Sequence, residues 1–505
     1  MSSTVSVAIA APAAGAHRAT LWTAAILAAA AAVLFALHRP LAGGCYGFVD
    51  DYVLVEGGRV FPDWPLWAWV ARDGRPLYGL ILNLALQPVG GVCDLALVRL
   101  LNLGLEAAIA AQLYALAARS GWPRGAAAAA AAMLVALPGF AVATAWATLI
   151  GPLVAIVLAL AAASLATTAA GGRPGLLRLA AAACLLALAL AIYQPGAMAF
   201  VPGVAIALVR RPATRETLRD GLLPAALVLV AVVAAYAVFF LLLPHLVPEV
   251  GPSRRTALTR DPWAKLLWFI GVPLRQAQNL FNLQPVPRFG YAVAGLIVLG
   301  AFLRQGSVRP TMAALAVQGG AVALAFLPNL VVAESWPSFR ASLPMAMTIA
   351  VLVAAALVAV GERIGGRWGA GMAGLLVAMP AVWGLLAMSA AADRGIVRLQ
   401  REEWAQLVGA VRPLPAAGGR LVALLPAGSV PACARWQRFD EFGLPSTARP
   451  WAAAAMLRHA WIETHGDAVP PRFHVVAPGG MPPPAATVID MASLLAARSP
   501  QICDR

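Results

Sequence analysis

The chain has 505 residues, of which 61% are hydrophobic and only 12% charged, and its mean hydropathy is +0.79. Soluble globular domains carry roughly twice that share of charged residues, so the composition excludes them and indicates a polytopic membrane protein. The formal net charge of +15 could indicate a nucleic-acid partner, but many of the arginines lie in short links between apolar segments. Positive charge in such links marks the cytoplasmic side of a membrane protein, so we interpret it as a topology signal.

Apolar runs long enough to cross a bilayer recur from Leu21 to Ser389. A run of about 20 residues crosses about 30 Å of hydrocarbon as a helix, and the runs predict about eleven transmembrane helices after a disordered N-terminal segment, 1–19. The first run could also be a signal peptide, but its length favours an uncleaved helix. The predicted spans are 20–41, 95–118, 125–143, 149–168, 176–192, 196–209, 221–243, 290–303, 310–330, 341–361 and 368–390.

The positions of arginines predict the orientation of these spans. Alternate links contain arginine pairs such as Arg119 with Arg124 and Arg210 with Arg211, whereas the links between them contain almost none. Because cytoplasmic links retain positive charge, the N-terminus is predicted to lie inside, and an odd number of crossings places the C-terminal region outside. The chain then divides into a transmembrane domain, 20–390, and an extracytoplasmic domain, 391–505.

Three regions are predicted to project on the outer side. Residues 42–94 are broken by glycine and proline and contain Trp64, Trp67 and Trp69, which is typical of a helix at the headgroup level. Residues 244–289 contain a basic cluster and a second surface helix. The pattern of residues 391–505 predicts a small α/β domain, with helices over 400–411 and 452–463 and strands over 420–425, near Phe473 and near Val488.

The cysteines sort by the same topology. Cys184 lies within a predicted span, whereas Cys45 and Cys93 flank the first outer loop and Cys433 and Cys503 lie in the C-terminal domain. Disulfides persist outside the cytoplasm, so we predict the pairs Cys45–Cys93 and Cys433–Cys503.

Three short motifs in the outer loops carry a family resemblance. Asp50-Asp51-Tyr52 follows the first span, Gly74-Arg75-Pro76-Leu77 follows the tryptophan-rich segment, and Tyr193-Gln194-Pro195 interrupts a helix. In this order they resemble the GT-C superfamily of polyprenyl-phosphate-dependent glycosyltransferases, and most closely the bacterial family that glucosylates O-antigens. The resemblance covers residues 20–390 and does not include the C-terminal domain.

The resemblance implies an enzyme of the bacterial plasma membrane. It would move a sugar from a polyprenyl-phosphate donor to a hydroxyl of a cell-surface glycan or lipid, on the outer face of the membrane. An outer carboxylate, Asp51 or Asp50, would act as general base, because a sugar hydroxyl is a weak nucleophile until its proton is accepted. Tyr52, Tyr193 and Gln194 would line the site. The leaving phosphate would be bound by cations, and the candidates are Arg75, Arg340, Arg254, Arg255 and Lys265.

Other readings of these residues stay open. The aspartates could cap a helix, Arg75 and Arg340 could pair with Asp63 or Glu334, and the basic cluster could bind anionic lipid. No cofactor is predicted, the histidines have no ligand spacing, and a divalent metal is not excluded. The expected partners are the lipid-linked donor, the acceptor and membrane lipids, without nucleic acid. Two other functional classes are a transporter or flippase for a lipid-linked sugar and a non-catalytic membrane scaffold.

Overall fold

The protein is mostly helical, at 76%, with one small three-stranded sheet, which is consistent with a helical membrane protein. The first predicted span is largely outside the described residues, as are Trp64, Trp67 and Trp69. The computed structural model describes residues 32, 35–60, 70–168, 174–246, 257–282, 287–415, 421–427, 441–466, 468–477 and 479–498.

Each predicted span after residue 94 coincides with a helix or a pair of helices. A long apolar run leaves the backbone no polar partner except its own next turn, so helix is the expected structure. The helices in chain order are α1 (35–42), α2 (Asp50–Val60), α3 (Pro76–Leu86), α4 (Leu95–Arg119), α5 (Arg124–Val135), α6 (Pro138–Ala145), α7 (Ile150–Ala166), α8 (Leu176–Ile192), α9 (Gln194–Ala197), α10 (Phe200–Leu208), α11 (Leu223–Leu246), α12 (Pro262–Gly271), α13 (Pro273–Gln278), α14 (Pro287–Gln305), α15 (Val308–Leu324), α16 (Leu327–Val331), α17 (Phe339–Gly365), α18 (Gly369–Ala392) and α19 (Leu399–Val411).

Fewer of these helices are both long enough and apolar enough to cross a membrane on their own. By length and composition, three helical runs of the described chain are long and apolar enough: 147–166, 217–243 and 339–411. The pair α5 and α6, bent by 57°, makes a fourth if it counts as one span. The helical character of the predicted spans is therefore confirmed, while the number of eleven crossings stays a prediction.

The core of the bundle lies around α17, which is buried along most of its length and packs against α14 and α18. By contrast, α11 lies at the edge and packs mainly on α8, so that only 22% of its most apolar window is buried. An apolar helix that is exposed in this way is suited to contact lipid. The third helix, α3, has only 11 residues, about half the length of a span.

The first outer loop is fastened to the start of α4 in two ways. A disulfide joins Cys45 to Cys93, as the topology predicts, and Cys184 is free. The fully buried Arg99 of α4 donates hydrogen bonds to three backbone carbonyl oxygens of segment 42–46, at 2.6 to 3.1 Å. These contacts satisfy the guanidinium and fix the chain immediately before the pair Asp50 and Asp51. The predicted disulfide Cys433–Cys503 lies outside the described residues.

The C-terminal region forms the predicted α/β arrangement. Its sheet has the order β2-β1-β3, with β1 (Leu421–Leu425) parallel to both β2 (Arg472–Val475) and β3 (Thr487–Asp490). Helices α20 (Pro450–His465) and α21 (Met491–Ala497) complete it. Helix α20 packs on α19 within this region and on α2 of the first outer loop, and the second of these contacts joins the two parts of the chain.

Candidate functional site

A cavity of about 560 Å³ lies between the helical bundle, the first outer loop and the C-terminal region. Five residues singled out from the sequence line it together: Asp50, Arg75, Tyr193, Gln194 and Arg340. They come from four separate parts of the chain, so the fold, not sequence proximity, brings them to one place. A concave site with few polar groups set in apolar walls is the usual form of a ligand-binding site.

Asp50 presents its carboxylate to this cavity from the first position of α2. The indole N–H of Trp451, at the start of α20, donates a hydrogen bond to Asp50 Oδ1 at 3.1 Å. The carboxylate has a second oxygen, and each oxygen has two lone pairs. Asp50 can therefore accept a proton from a bound hydroxyl while Trp451 holds its orientation.

The residue before this aspartate has a strained backbone. Val49 has a φ of +43°, a conformation that costs a β-branched residue roughly 1–3 kcal/mol. Its N–H donates to Ser446 Oγ at 2.8 Å, and the Ser446 hydroxyl donates to Gln400 Oε1 at 2.6 Å. The carboxylate of Glu403 accepts hydrogen bonds from the N–H groups of Ser446 and Thr447. The C-terminal region thus holds the strained turn that aims Asp50.

Asp51 has a different environment, although it is the next residue. Its side chain is fully buried and does not line the cavity. Oδ2 accepts the N–H groups of Phe48 at 2.9 Å and Ala147 at 3.2 Å, and Oδ1 accepts the N–H of Thr148 at 2.8 Å. Burial raises the pKa of Asp51 to about 6, although these hydrogen bonds act to lower it. Asp51 therefore fastens the outer loop to segment 147–148, and of the two aspartates predicted as the general base only Asp50 lines the cavity.

Tyr52 is also buried outside the cavity. Its hydroxyl accepts the N–H of Gly47 at 3.0 Å, and its ring packs against that of Trp404 at 5.5 Å. Burial raises its pKa well above the ordinary value. Tyr52 therefore packs inside the loop. It was predicted to line the site, but it does not line the cavity.

Arg75 and the helix break at Gln194 form one unit. Arg75 Nε donates to Gln194 Oε1 at 3.2 Å, and its guanidinium lies 4.7 Å from the centre of the Tyr193 ring. The Gln194 amide in turn donates to the carbonyl oxygen of Gly74. Gly74 has a φ of +77°, and a Cβ there would lie 2.5 Å from Gln194 Nε2, so another residue would be strained and would displace this amide. Two of the three motifs of the family resemblance thus meet in the fold.

The guanidinium of Arg340 lies 4.5 Å from the centre of the Trp146 ring. Its Nε is 3.7 Å from Oε1 of the buried Glu441. The sequence suggested Asp63 or Glu334 as partners, but the carboxylate comes from the C-terminal region. The remaining cation of the described set, Lys265, does not line the cavity, and its Nζ donates to the Glu334 carbonyl oxygen at 2.7 Å. Arg254 and Arg255 lie outside the described residues.

Sequence reasoning missed the residues that the C-terminal region contributes. Trp451 and Arg449 line the cavity together with Trp336. The Arg449-Pro450-Trp451 sequence immediately before a predicted helix was the available signal, since proline is common at the first position of a helix and aromatic residues beside arginine are common in binding sites. Nothing in the sequence connects this tripeptide with the outer loop.

One wall of the cavity is apolar and belongs largely to α11. Val233, Ala237, Phe240 and Leu241 line it, and Leu241 is 67% exposed. A second apolar cavity of about 340 Å³ lies further along α11, between α11, α10 and α15. The α11 residues of the two cavities follow one another along this helix, from Ala225 to Leu241. The apolar wall of the main cavity therefore belongs to a helix at the edge of the bundle.

Among the described residues, no three histidine, cysteine or carboxylate side chains cluster as they would to hold a metal ion. No protein-family model, curated protein or solved structure matches the chain.

Proposed function

We propose that this protein is a membrane glycosyltransferase that uses a polyprenyl-phosphate sugar as donor and a hydroxyl of a cell-surface glycan or lipid as acceptor. The observation that supports it is the composition of the main cavity. One space combines an available carboxylate (Asp50), two arginines (Arg75 and Arg340) and an apolar wall formed largely by α11. These are the groups needed for a base, a leaving phosphate and a lipid chain.

In the proposed reaction, the acceptor oxygen forms a bond with the anomeric carbon of the donor as the bond from that carbon to the phosphate oxygen breaks. Asp50 accepts the proton of the acceptor hydroxyl. The polyprenyl phosphate leaves with the bonding electron pair, and the guanidinium groups of Arg75 and Arg340 stabilise the charge that develops on it. Since a phosphate is already a good leaving group, these cations do the work that an acid does in other sugar chemistry.

The hydrogen-bond and ion-pair partners of Arg75 and Arg340 support their role in binding the phosphate. Arg75 has a neutral hydrogen-bond partner in Gln194, so its positive charge is not offset there. Arg340 has its carboxylate partner at the longer distance of 3.7 Å. An anionic phosphate between them gains charge-assisted hydrogen bonds in a partly apolar cavity, where such bonds are strong.

The predicted topology supports an outer-face reaction in a bacterial plasma membrane with a cytoplasmic N-terminus. The cavity is formed by the first outer loop, the link before α17 and the C-terminal region, all of which are predicted to lie outside. The arginine-rich links such as Arg210 and Arg211 belong to the opposite end of the bundle. A donor that is already on the outer leaflet would enter beside α11, whose apolar side chains line one wall of the cavity.

A second candidate function is transport of a lipid-linked sugar. The two cavities that follow α11 from end to end favour it, since a lipid carrier needs apolar contacts at both leaflets. It leaves the position of Asp50 beside Trp451 without a purpose, because a carried sugar needs no base.

The test is mass spectrometry of surface glycans and lipids from cells that lack the protein, complemented with wild type, Asp50→Asn or Asp94→Asn at equal expression. Asp94 is the matched control, an exposed aspartate of the same loop outside the cavity. We expect wild type and Asp94→Asn to restore a sugar mass that Asp50→Asn does not. Full restoration by Asp50→Asn would show that Asp50 is not the general base. A glycan profile that does not change when the protein is absent would favour transport or scaffolding.

A further inference from the structure

The cavity contains a second cationic position that donor binding does not use. The guanidinium of Arg449 lies 5.4 Å from the centre of the Trp336 ring and 5.7 Å from that of Trp451, and all three side chains line the cavity. We call these three residues the Arg449 group. The guanidinium therefore lies within about 6 Å of two indole rings, the range in which a cation is attracted to an aromatic face.

Among the described residues, the guanidinium of Arg449 contacts the rings of Trp336 and Trp451 and makes no side-chain hydrogen bond or ion pair. Only the backbone of Arg449 is hydrogen-bonded, with its N–H donating to the Ser446 carbonyl oxygen at 3.1 Å. Arg340, in comparison, has Glu441 as a partner. A half-buried guanidinium at the wall of a cavity is stabilised when an anion binds to it, because its planar fork matches a carboxylate or a phosphate.

The position of this group separates it from the donor. Arg75 contacts Tyr193 and Gln194, next to the apolar wall of α11, which is the end expected for a lipid phosphate. The Arg449 group has none of these contacts. It is joined instead to the base, because the Trp451 indole donates to Asp50 at 3.1 Å. A molecule on the Arg449 group therefore lies beside the carboxylate that accepts the proton.

From this geometry we infer that the Arg449 group is the acceptor subsite, and that the acceptor is a saccharide carrying a carboxylate or a phosphate. The indole rings would contact the apolar face of a sugar ring, and Arg449 would bind the anionic group. The inference rests on the proposed transferase function, whose acceptor class it names. It also explains why the C-terminal region takes part in the site: that region binds the acceptor and orients the base by the same residue, Trp451.

The test measures binding to the full-length protein in lipid nanodiscs by isothermal titration calorimetry. The probes are a tetrasaccharide of galacturonic acid, a neutral glucose tetrasaccharide, glucose 6-phosphate and a short-chain polyprenyl phosphate. The variants are Arg449→Gln and Arg449→Lys, with Arg75→Gln as the donor-side comparison. Arg449→Lys keeps the positive charge, so it stays informative if the glutamine variant fails to fold.

We expect an acidic saccharide to bind wild type at least about 10-fold more tightly than the neutral one, and Arg449→Gln to remove that difference, as the loss of a charge-assisted hydrogen bond predicts. Which acidic probe binds shows whether the anion is a carboxylate or a phosphate. Arg449→Lys should keep part of the preference. Polyprenyl phosphate binding should weaken in Arg75→Gln and stay unchanged in Arg449→Gln.

Equal binding of acidic and neutral saccharides to wild type, or no binding of either, overturns the inference, as does weaker polyprenyl phosphate binding in Arg449→Gln. The glycan assay separates this failure from that of the proposed function. If Asp50→Asn abolishes sugar transfer while Arg449→Gln transfers as wild type does, the transferase stands and the acceptor subsite is wrong. If Asp50→Asn transfers normally, the proposed function itself has failed.

Discussion

The contrast between two adjacent aspartates leads to a quantitative prediction, with Asp51→Ala as the perturbation. The substitution removes the acceptor of three backbone N–H groups in a fully buried position. Leaving each buried donor without a partner costs about 1–3 kcal/mol, so the three together cost about 3–9 kcal/mol. The outer loop also loses its attachment to segment 147–148.

An opposing effect reduces this loss. Burial raises the pKa of Asp51 from 3.8 to about 6, so holding the carboxylate ionised at neutral pH costs the folded protein about 3 kcal/mol that alanine avoids. At the middle of the range, the three unpaired N–H groups cost about 6 kcal/mol. Subtracting about 3 kcal/mol, the cost that alanine avoids, leaves a net loss in free energy of unfolding of about 3 kcal/mol. For a chain of this length unfolding as one unit, that corresponds to a fall of about 3 °C in melting temperature.

The measurement is thermal unfolding of purified protein, with Asp50→Ala as the matched control. Asp50 has one hydrogen bond, from Trp451, so its substitution should change the unfolding free energy by less than about 1 kcal/mol while reducing sugar transfer by roughly 10²-fold or more. The reasoning is refuted if Asp51→Ala unfolds at the wild-type temperature and abolishes transfer, while Asp50→Ala transfers normally; the base would then be Asp51.

Three further predictions concern the loops around the cavity. Gly74→Ala should weaken sugar transfer and destabilise the protein by about 2 kcal/mol, because of its positive φ and the amide that it faces, whereas Gly91→Ala, with no atom within 4 Å, should melt as wild type does. Replacing both Cys45 and Cys93 with serine should lower the free energy of unfolding by up to about 4 kcal/mol, as expected for a separation of 48 residues, and the melting temperature of this variant should not respond to a reductant that lowers that of wild type. Burial raises the pKa of Glu403 from 4.5 to about 7, so the folded protein binds a proton that the unfolded chain has released, and stability should fall as pH rises from about 4.5 to about 7. Glu403→Gln should reduce that slope in melting curves recorded across the range, leaving the part that the raised pKa of Asp51 contributes up to about pH 6.

Much of the local structure could be predicted from the sequence. The segments of helix and the C-terminal strands depend on which residues lie within a few positions of one another, and that information is local. The pair Cys45 and Cys93 could be predicted because both lie at the ends of one loop on one side of the membrane. The sequence predicted a set of site residues but not the contacts between them. This set includes Arg75, Tyr193, Gln194 and Arg340.

The tertiary structure decided which of the candidate residues line the cavity. Neighbours on a helix point about 100° apart, and no local pattern tells which of Asp50 and Asp51 faces the cavity. The carboxylate beside Arg340 and the tryptophan beside Asp50 come from the C-terminal region, because α20 packs on α2. Apolar periodicity determines where a helix forms and which part of the chain avoids water, but the partner of a charged side chain depends on contacts between segments far apart in sequence, which exist only once the chain has folded.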